Sequence, residues 1–447
     1  MSAELPDTLR QSADLKTEVL DNGHFQIELL YLATLCDTDI LRKEIAHPFF
    51  MTVDPETFHR VLDAAINCSL LAGDADLAPL LLDKSVIVQC QDRRYRMKTR
   101  NPVGSQPTEA VTETTLQGPQ NAFSENAENN LMAIRVRYPS ADLAAEKFKL
   151  GKITQTESYL IYDKHKVDAN TLKQLKEKLD RIDADVVLSA GQIEALITRR
   201  KYRWLPTTII TERPDRVVLN LSQGKIVLIL NGAPYTLILP AVFYDFISSM
   251  DDLYQNFLIT RALVILRYIS ILITVTLPGL YVAVVSYNPE ILKVQLALSI
   301  AGSRAAVPYP SFIEVLFMLF MIEALLEASL RLPRYIGATA TTVGGLILGQ
   351  AAQMAGLVSS IMIIVTSVVA IANFLIPINA MSFALRLAKY PLVLLSACFG
   401  VVGVVSGMFA LALYIANLRS FGRPYFRLFT AELDTSGYKT RDAEAMD

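Results

Sequence analysis

The sequence is poor in the residues that usually mark a catalytic or metal site. Its 447 residues include four histidines, four cysteines and one tryptophan. The cysteines show no metal-ligand or redox spacing, which predicts separate, reduced thiols. No Gly-rich phosphate loop, Walker lysine or serine nucleophile elbow occurs, so we expect no enzyme, no cofactor and no metal. The residues concerned are Cys36, Cys68, Cys90 and Cys398, and His24, His47, His59 and His165.

An excess of charge of one sign is also absent. The chain has 42 Lys and Arg against 44 Asp and Glu, whereas binding of nucleic acid requires a concentrated basic face. We therefore expect no nucleic-acid partner. The N-terminal segment is polar and lacks the apolar core of a secretory signal peptide, so the first half of the chain is expected to stay in the cytosol.

Long apolar runs are abundant, and they fall after Arg267. Residues 268–289, 335–385 and 390–418 contain no Asp, Glu, Lys, Arg or His. A helix needs about 20 apolar residues to cross a hydrocarbon core of about 30 Å. The first and last runs each predict one crossing. The middle run predicts two, with a break near Gly356 and a stop at Pro377, which gives four clear spans.

The stretch between the first span and this hairpin is ambiguous, because it mixes apolar runs with charges. Glu323, Glu327 and Arg331 are spaced by four, so on a helix they share a face and Glu327 can pair with Arg331. The helix either lies at the interface with its charges in water or is buried with its carboxylates along an ion route. Without a further crossing both termini are cytosolic, and with one they lie on opposite sides. The candidate gating or ion-path charges are Arg304, Glu314, Glu323 and Glu327.

Small residues recur at helical spacing in the apolar runs. Gly345 and Gly349 form one GxxxG, and Gly403 and Gly407 form another. Such pairs let helix backbones approach closely, within one chain or between copies. We therefore assign Gly345, Gly403 and Gly407 to helix packing.

Residues 1–255 predict a mixed α/β head. Leu172, Leu175, Leu179 and Ile182 follow the rhythm of an amphipathic helix, after the strand-like run SYLIYD. The runs KIVLIL and PYTLILP flank Asn231-Gly232, a strong hairpin signal. The predicted fold class is thus an α/β soluble head of two subdomains followed by an all-α polytopic transmembrane domain. The predicted boundaries are 1–140, 141–255, 256–420 for the membrane domain and 421–447 for a C-terminal tail.

Several long segments carry a resemblance to a known family. They are LQGPQNAFSENAENNLMAIRVR at 116–137, TERPDRV at 211–217, VLILNGAPYTLILP at 227–240, SIAGSRAAVPYP at 299–310, RLPRYIGATATTVGGLILGQAAQMAGLVSS at 331–360 and FGRPYF at 421–426. In this order the segments resemble the A subunit of spore germination nutrient receptors, the GerA family. The resemblance covers about residues 70–427.

The resemblance implies a receptor complex in the inner membrane of a bacterial endospore, with a permease-like B subunit and a lipoprotein C subunit. It implies that nutrients bind mainly at the B subunit and that A subunits form an oligomer, a pentamer, which releases ions when triggered. An A-type paralogue that assists dipicolinate release, a non-conducting scaffold and a secondary transporter stay open as alternatives, although a transporter usually shows repeated halves and none is visible.

Two positions depart from the family pattern. Ala305 stands where the family usually has a Glu after the Arg of its SREGVPFP-like motif, and Leu319 stands where it often has a second Glu. A mechanism that depends on those two carboxylates is therefore not expected here.

The first helix of the hairpin carries a polar stripe. Thr339, Thr342, Leu346, Gly349 and Gln353 are spaced by 3, 4, 3 and 4 residues, so they share a face. If several copies surround an axis, the polar positions can line a pore while a ring of Leu346 closes it by dewetting. The alternative is that the stripe packs on the neighbouring span through Gly345 and Gly349.

Overall fold

The computed structural model describes residues 4–72, 75–99, 108–115, 117–198, 203–332 and 334–426. Strands and short helices fill the chain up to Leu239, and helices dominate from Phe257 to Asn417. The predicted order, an α/β head followed by a helical region, is confirmed. Most of the predicted tail, from 427 onward, lies outside the described residues.

The first part of the head is an antiparallel sheet covered on both faces. From one edge to the other its strands are Leu15–Asp21 (β1), Gln26–Leu32 (β2), Ser85–Cys90 (β4), Arg93–Lys98 (β5) and Cys68–Leu70 (β3). The helix Pro55–Ala64 starts where the side chain of Asp54 accepts the backbone N–H of Thr57, as expected for an N-cap. One apolar cluster packs it on the sheet, and a second covers the other face. The elements are β1 Leu15–Asp21, β2 Gln26–Leu32, β3 Cys68–Leu70, β4 Ser85–Cys90, β5 Arg93–Lys98, α1 Asp7–Arg10, α2 Thr38–Leu41, α3 His47–Met51, α4 Pro55–Ala64 and α5 Leu77–Leu82, with a π-helical turn at Arg42–Ala46.

The second part of the head is another antiparallel sheet, with the order β10-β12-β11-β9-β8. SYLIYD lies in β9, and KIVLIL and PYTLILP pair as β11 and β12 around Asn231-Gly232, which confirms the predicted strand and hairpin. The predicted amphipathic helix is α7, whose Leu175 and Leu179 are buried. The elements are β6 Thr108–Glu109, β7 Asn121–Ala122, β8 Leu143–Leu150, β9 Thr156–Asp163, β10 Ile209–Thr211, β11 Ile226–Leu230, β12 Thr236–Leu239, α6 Ala127–Arg137, α7 Ala169–Asp180, α8 Ala190–Thr198 and α9 Pro214–Ser222, with 3-10 turns at Phe243–Phe246 and Met250–Leu253.

Helix α6 precedes the predicted subdomain boundary near residue 140 but shares the core of the second sheet. Leu131 and Ile134 pack with Leu143, Ile161 and Val227. The boundary near residue 140 stays a prediction, and this packing favours a place before α6.

The helical region contains six described helices. The first begins where Asn256 caps the N–H of Leu258, eleven residues before the charge-free run starts. By length and composition, two of the described helices can cross a membrane, Phe257–Ser286 and Asn379–Asn417. The six are α10 Phe257–Ser286, α11 Val294–Arg304, α12 Ser311–Arg331, α13 Arg334–Met354, α14 Ser360–Phe374 and α15 Asn379–Asn417.

The predicted hairpin break is present. Helix α13 ends at Met354, Gly356 adopts a left-handed φ of 68° and α14 begins at Ser360. Helix α14 ends at Phe374, shortly before Pro377. The break follows from the backbone, because a residue with side chain is strained at such a φ while glycine is not.

The run 390–418, predicted as the last span, is not one continuous helix, because α15 reverses direction at Gly400. This residue has a non-helical backbone, with φ 60° and ψ −139°. Gly403 lies against the backbone of Leu395 and Gly407 against the side chain of Leu392, contacts that a straight helix cannot make. Residues 379–399 and 401–417 are therefore two antiparallel arms. A charge-free run gives no sign of such a turn unless its glycines are read as breaks.

Both ends of the helical region adjoin the head. Arg267 in the third turn of α10 binds the Asp252 carboxylate. After α15 come β13 Arg419–Ser420 and β14 Arg423–Pro424, and the N–H of Phe243 donates to the Tyr425 carbonyl at 2.9 Å. The opposite end of the bundle, the distal end, is where Ser286 contacts Ser311 and Tyr287 contacts Ala397.

Candidate functional site

Glu314, a predicted ion-path charge, joins three helices at the distal end. Its Oε1 accepts the N–H and the hydroxyl of Ser359, both at 2.6 Å, and its Oε2 lies 3.2 Å from Nε of Arg304. Ser359 in turn caps α14 by accepting the N–H of Met362. The Glu314 side chain is fully buried, so its charge depends on these partners. The cluster fixes where α11, α12 and α14 meet.

Glu323 lies further along α12 and pairs with two cations of α15. Its carboxylate is 2.9 Å from Nζ of Lys389 and 3.2 Å from Arg386. Lys389 is buried, with 3% of its side chain exposed. Among the described residues, Nε of Arg386 has no hydrogen-bond partner. One carboxylate therefore faces two cations inside the bundle.

Arg386 and Lys389 were missed as site residues by the sequence reasoning. A signal existed, because they are the charges that interrupt the apolar sequence between Leu385 and Tyr390. Ionisable groups inside apolar spans usually pair or face a cavity.

The predicted pair of Glu327 and Arg331 is confirmed, at 2.6 Å. Both side chains are more than half exposed. The four predicted charges thus fall in three separate places rather than one cluster.

Helix α12 packs within the bundle, which favours the buried alternative over the interfacial one. Val315, Met318 and Leu319 are buried against Tyr281 and Val393. Leu319, where the family often has a Glu, is therefore an apolar core position in this chain.

Most of the described residues in the polar stripe of α13 are exposed. Leu346 is 61% exposed, Thr342 and Gln353 are exposed, and a Cβ added at Gly349 would meet nothing within 4 Å. Gln353 donates to the hydroxyl of Ser360 at 3.0 Å. The Thr339 side chain lies outside the described residues.

The opposite side of α13 is the one that packs. A Cβ added at Gly345 would lie 3.3 Å from the side chain of Leu325 on α12. Gly403 and Gly407 face the first arm of α15. These three glycines therefore lie at helix contacts within one chain, whereas Leu346 is mostly exposed and a Cβ at Gly349 would meet nothing within 4 Å.

A buried ion pair joins the two parts of the head. Arg135 on α6 donates to both oxygens of Asp14, at 3.0 and 2.8 Å, and to the carbonyl of Leu143. Burial alone would raise the pKa of Asp14, but Arg135, with hydrogen bonds from Ser12 and Thr34, holds that pKa below its ordinary value. The pair attaches the loop before β1 to α6, which packs on the second sheet.

The TERPDRV segment holds a neighbouring loop. The Glu212 carboxylate accepts the N–H of Val111 at 2.6 Å, and Arg213 donates to the carbonyls of Glu113 and Pro119 at 3.0 Å each. Arg213 also pairs with Asp215 at 2.5 Å. These charged residues therefore have partners within the chain, and their presence does not by itself indicate a substrate-binding site.

The head offers little for nucleophilic or metal chemistry. Burial raises the pKa of the Cys36 thiol to about 11 and that of Cys68 also to about 11, so both are protonated at neutral pH. Over the ranges that the structure describes, no group of three or more His, Cys, Asp or Glu side chains could hold a metal ion.

Comparison with known proteins identifies relatives along the whole chain. The profile of the family described as Bacillus/Clostridium GerA spore germination protein matches residues 3–440. Spore germination protein KA of Bacillus subtilis is 32% identical over 95% of this chain and 80% of its own length. Spore germination protein GerLA of Bacillus cereus is 35% identical over 83% of this chain and 72% of its own.

The N-terminal part of the chain is also similar to a solved structure. It is the crystal structure of the N-terminal domain of the A subunit of the Bacillus megaterium spore germinant receptor GerK3. The match covers 53% of this chain and 92% of that one, with a TM-score of 0.41 and 23% identity.

Proposed function

Because this chain belongs to the GerA family of spore germination proteins, we propose that it is the A subunit of a germinant receptor and forms an oligomeric, nutrient-gated ion channel. Its partners would be a permease-like B subunit, a lipoprotein C subunit and further copies of itself in a pentamer. The complex would lie in the spore inner membrane, with the head in the cytosol.

The observation that carries this proposal is the exposed stripe of α13. Thr342, Leu346 and Gln353 share a face of this helix, and all three side chains are exposed. A face of α13 that met lipid alone would be more uniformly apolar. Around an axis of several copies, the hydroxyl and amide groups would wet the path while Leu346 narrows it.

The topology of the proposed channel has an even number of crossings. The crossings would come from α10, α12, α13, α14 and the two arms of α15, and their number would be even because both ends of this region adjoin the head. Helix α11 would lie at the distal surface. Labelling of introduced cysteines from either side of the membrane, at positions such as Gln295, would test this arrangement.

The first prediction concerns the proposed constriction. Leu346→Ser should let ions leak several-fold faster without nutrient, because a polar ring no longer excludes water. Ile347→Ser is the matched control, since Ile347 is 60% exposed but lies about 100° around the helix. Ion flux would be measured in liposomes with and without the partner subunits, and in spores.

Four outcomes separate the candidate functions. A leak with Leu346→Ser alone supports the channel. Abundant Leu346→Ser protein with no leak and a normal nutrient response rules out the constriction. No flux from any complex, together with loss of partner assembly in variants, would indicate a scaffold subunit, and loss of dipicolinate release alone would indicate the paralogue.

A further inference from the structure

Trp204 is the only tryptophan of the chain, and it bonds to both arms of α15. Its indole N–H donates to the Ala384 carbonyl on the first arm at 3.1 Å. Its backbone N–H donates to the Tyr414 hydroxyl on the second arm at 2.9 Å. Because the arms reverse at Gly400, one residue of the head holds the open end of this helical hairpin.

The segment that carries this tryptophan is itself fixed to the head. The Thr208 hydroxyl donates to the Glu194 carboxylate on α8 at 2.8 Å. The Thr207 carbonyl accepts the N–H of Ala241 at 3.0 Å and the hydroxyl of Ser420 at 2.9 Å. A displacement of this part of the head therefore moves the indole with it.

The first arm of α15 also carries the two cations that bind α12. Arg386 and Lys389 follow Ala384 by two and five residues on the same helix. Both pair with Glu323 of α12, at 3.2 and 2.9 Å. A shift of the first arm therefore changes the position of both cations relative to α12.

Helix α12 in turn contacts α13. A Cβ added at Gly345 of α13 would lie 3.3 Å from the side chain of Leu325 on α12, and Leu346 of the exposed stripe is the next residue. Packed helices shift as units, because a close-packed interface has discrete arrangements and little free space. The contacts thus form a continuous path from the head to the stripe of α13.

We propose that Trp204 is the positioning residue through which the head sets the place of α12, and with it the place of the Leu346 stripe. Its hydrogen bond to Ala384 holds the first arm of α15 where the two cations reach Glu323. Release of this bond lets the arm move, and α12 with it. The part that concerns the stripe rests on the proposed channel, whereas the link between the head and α12 does not.

The first test reads the link from α12 back to the head. In the full-length protein purified in detergent, tryptophan fluorescence reports on Trp204 alone. Glu323→Gln removes the charge that holds the two cations, so the coupled indole should become more exposed to water and its emission should shift to longer wavelength. Glu327→Gln is the matched control, because Glu327 lies one turn further along α12 in an exposed pair with Arg331, and it should leave the emission unchanged.

The second test reads the link from the head to α12. Trp204→Phe removes the indole N–H but keeps an aromatic ring. A hydrogen bond of this kind contributes about 1 kcal/mol, so amide hydrogen exchange in α12 should become faster by up to about fivefold. Tyr235→Phe is the control, since it removes a hydroxyl from the loop between β11 and β12, where Tyr235 packs with the core of α7 and α8. If Trp204→Phe fails to fold, the fluorescence test decides, because it keeps Trp204 intact.

Three results would overturn the proposal. The first is an emission spectrum of Glu323→Gln that equals that of the wild type. The second is an equal shift of the emission in Glu327→Gln. The third is equal hydrogen exchange in α12 for folded Trp204→Phe and Tyr235→Phe. Neither readout requires ion conduction, so a complex that conducts no ions would contradict the proposed channel without changing either result.

Discussion

Charged side chains are buried in both the head and the helical region, but their partners are balanced differently. In the head, Arg135 and Asp14 match one cation to one carboxylate, and Ser12 and Thr34 complete the hydrogen bonds. In the bundle, Glu323 is shared by Arg386 and Lys389. The head pair is complete within the chain, whereas the bundle cluster has a net positive charge.

We therefore distinguish a fixed contact, the Arg135–Asp14 pair that joins the two parts of the head, from an adjustable one, the Glu323 cluster that joins α12 and α15. A fully satisfied buried network has one favoured geometry, and breaking it is costly. A cluster with one cation in excess is less fully compensated, since Nε of Arg386 has no hydrogen-bond partner among the described residues. We infer that α12 and α15 can shift relative to each other more readily than the two parts of the head.

The largest expected effect is at the head pair. Arg135→Met leaves Asp14 buried without its cation, which should destabilise the protein by about 3–5 kcal/mol. Arg137→Met on the same helix is the control, because Arg137 donates to the Ala133 carbonyl of its own helix. Thermal unfolding of the full-length protein in detergent measures both. Equal midpoints for the two variants would contradict the proposed fixed contact.

The next effect is in the bundle. Glu323→Gln keeps an acceptor for Lys389 but removes the charge, which should cost about 1.5–3 kcal/mol, the range of a hydrogen bond to a charged group. Because the cluster is adjustable, the germination response should change more than subunit abundance does. Glu290→Gln, in the exposed turn after α10, is the control. A normal response from Glu323→Gln spores would show that the cluster only holds the helices together.

The elements of the head could be predicted because their signals are local. The period of Leu172, Leu175 and Leu179 defines α7, and Asn231-Gly232 marks the turn between β11 and β12. The resemblance to the family added the order of the segments. Local patterns of this kind depend on residues a few positions apart, which one sequence displays.

The buried ion pairs could not be predicted, because the residues that form each pair are distant in sequence. Arg135 and Asp14 are 121 residues apart, and Glu323 and Lys389 are 66 apart. The reversal at Gly400 was missed for a different reason. In an apolar run a turn and a continuous span have the same composition, and only packing between Gly403 and Leu395 distinguishes them.

A smaller effect should appear when the head is acidified. The native pKa of Asp14 lies below its ordinary value, so the unfolded chain binds the proton first, near pH 3.9. The stabilisation is complete above that pH and is lost as pH falls through the native pKa. Unfolding midpoints measured from pH 7 to pH 3 should fall in the acid range for the wild type. Asp14→Asn should be less stable at pH 7 and should show a shallower acid decline, and an unchanged slope would assign the acid sensitivity to other groups.

The smallest effect is expected at the exposed pair on the same helix as Glu323. Glu327 and Arg331 are one turn apart and mostly exposed, and exposed pairs of this kind contribute about 0.2–0.5 kcal/mol. Glu327→Gln should therefore leave the unfolding midpoint, the subunit abundance and the germination response nearly unchanged, in contrast to Glu323→Gln. A strong germination defect with normal abundance would mean that Glu327 acts along the ion path or at a contact with another subunit. In the second case the exposed face of α12 would join the stripe of α13 as part of the contact between copies, and Glu323 and Glu327 would differ in their partners rather than in burial.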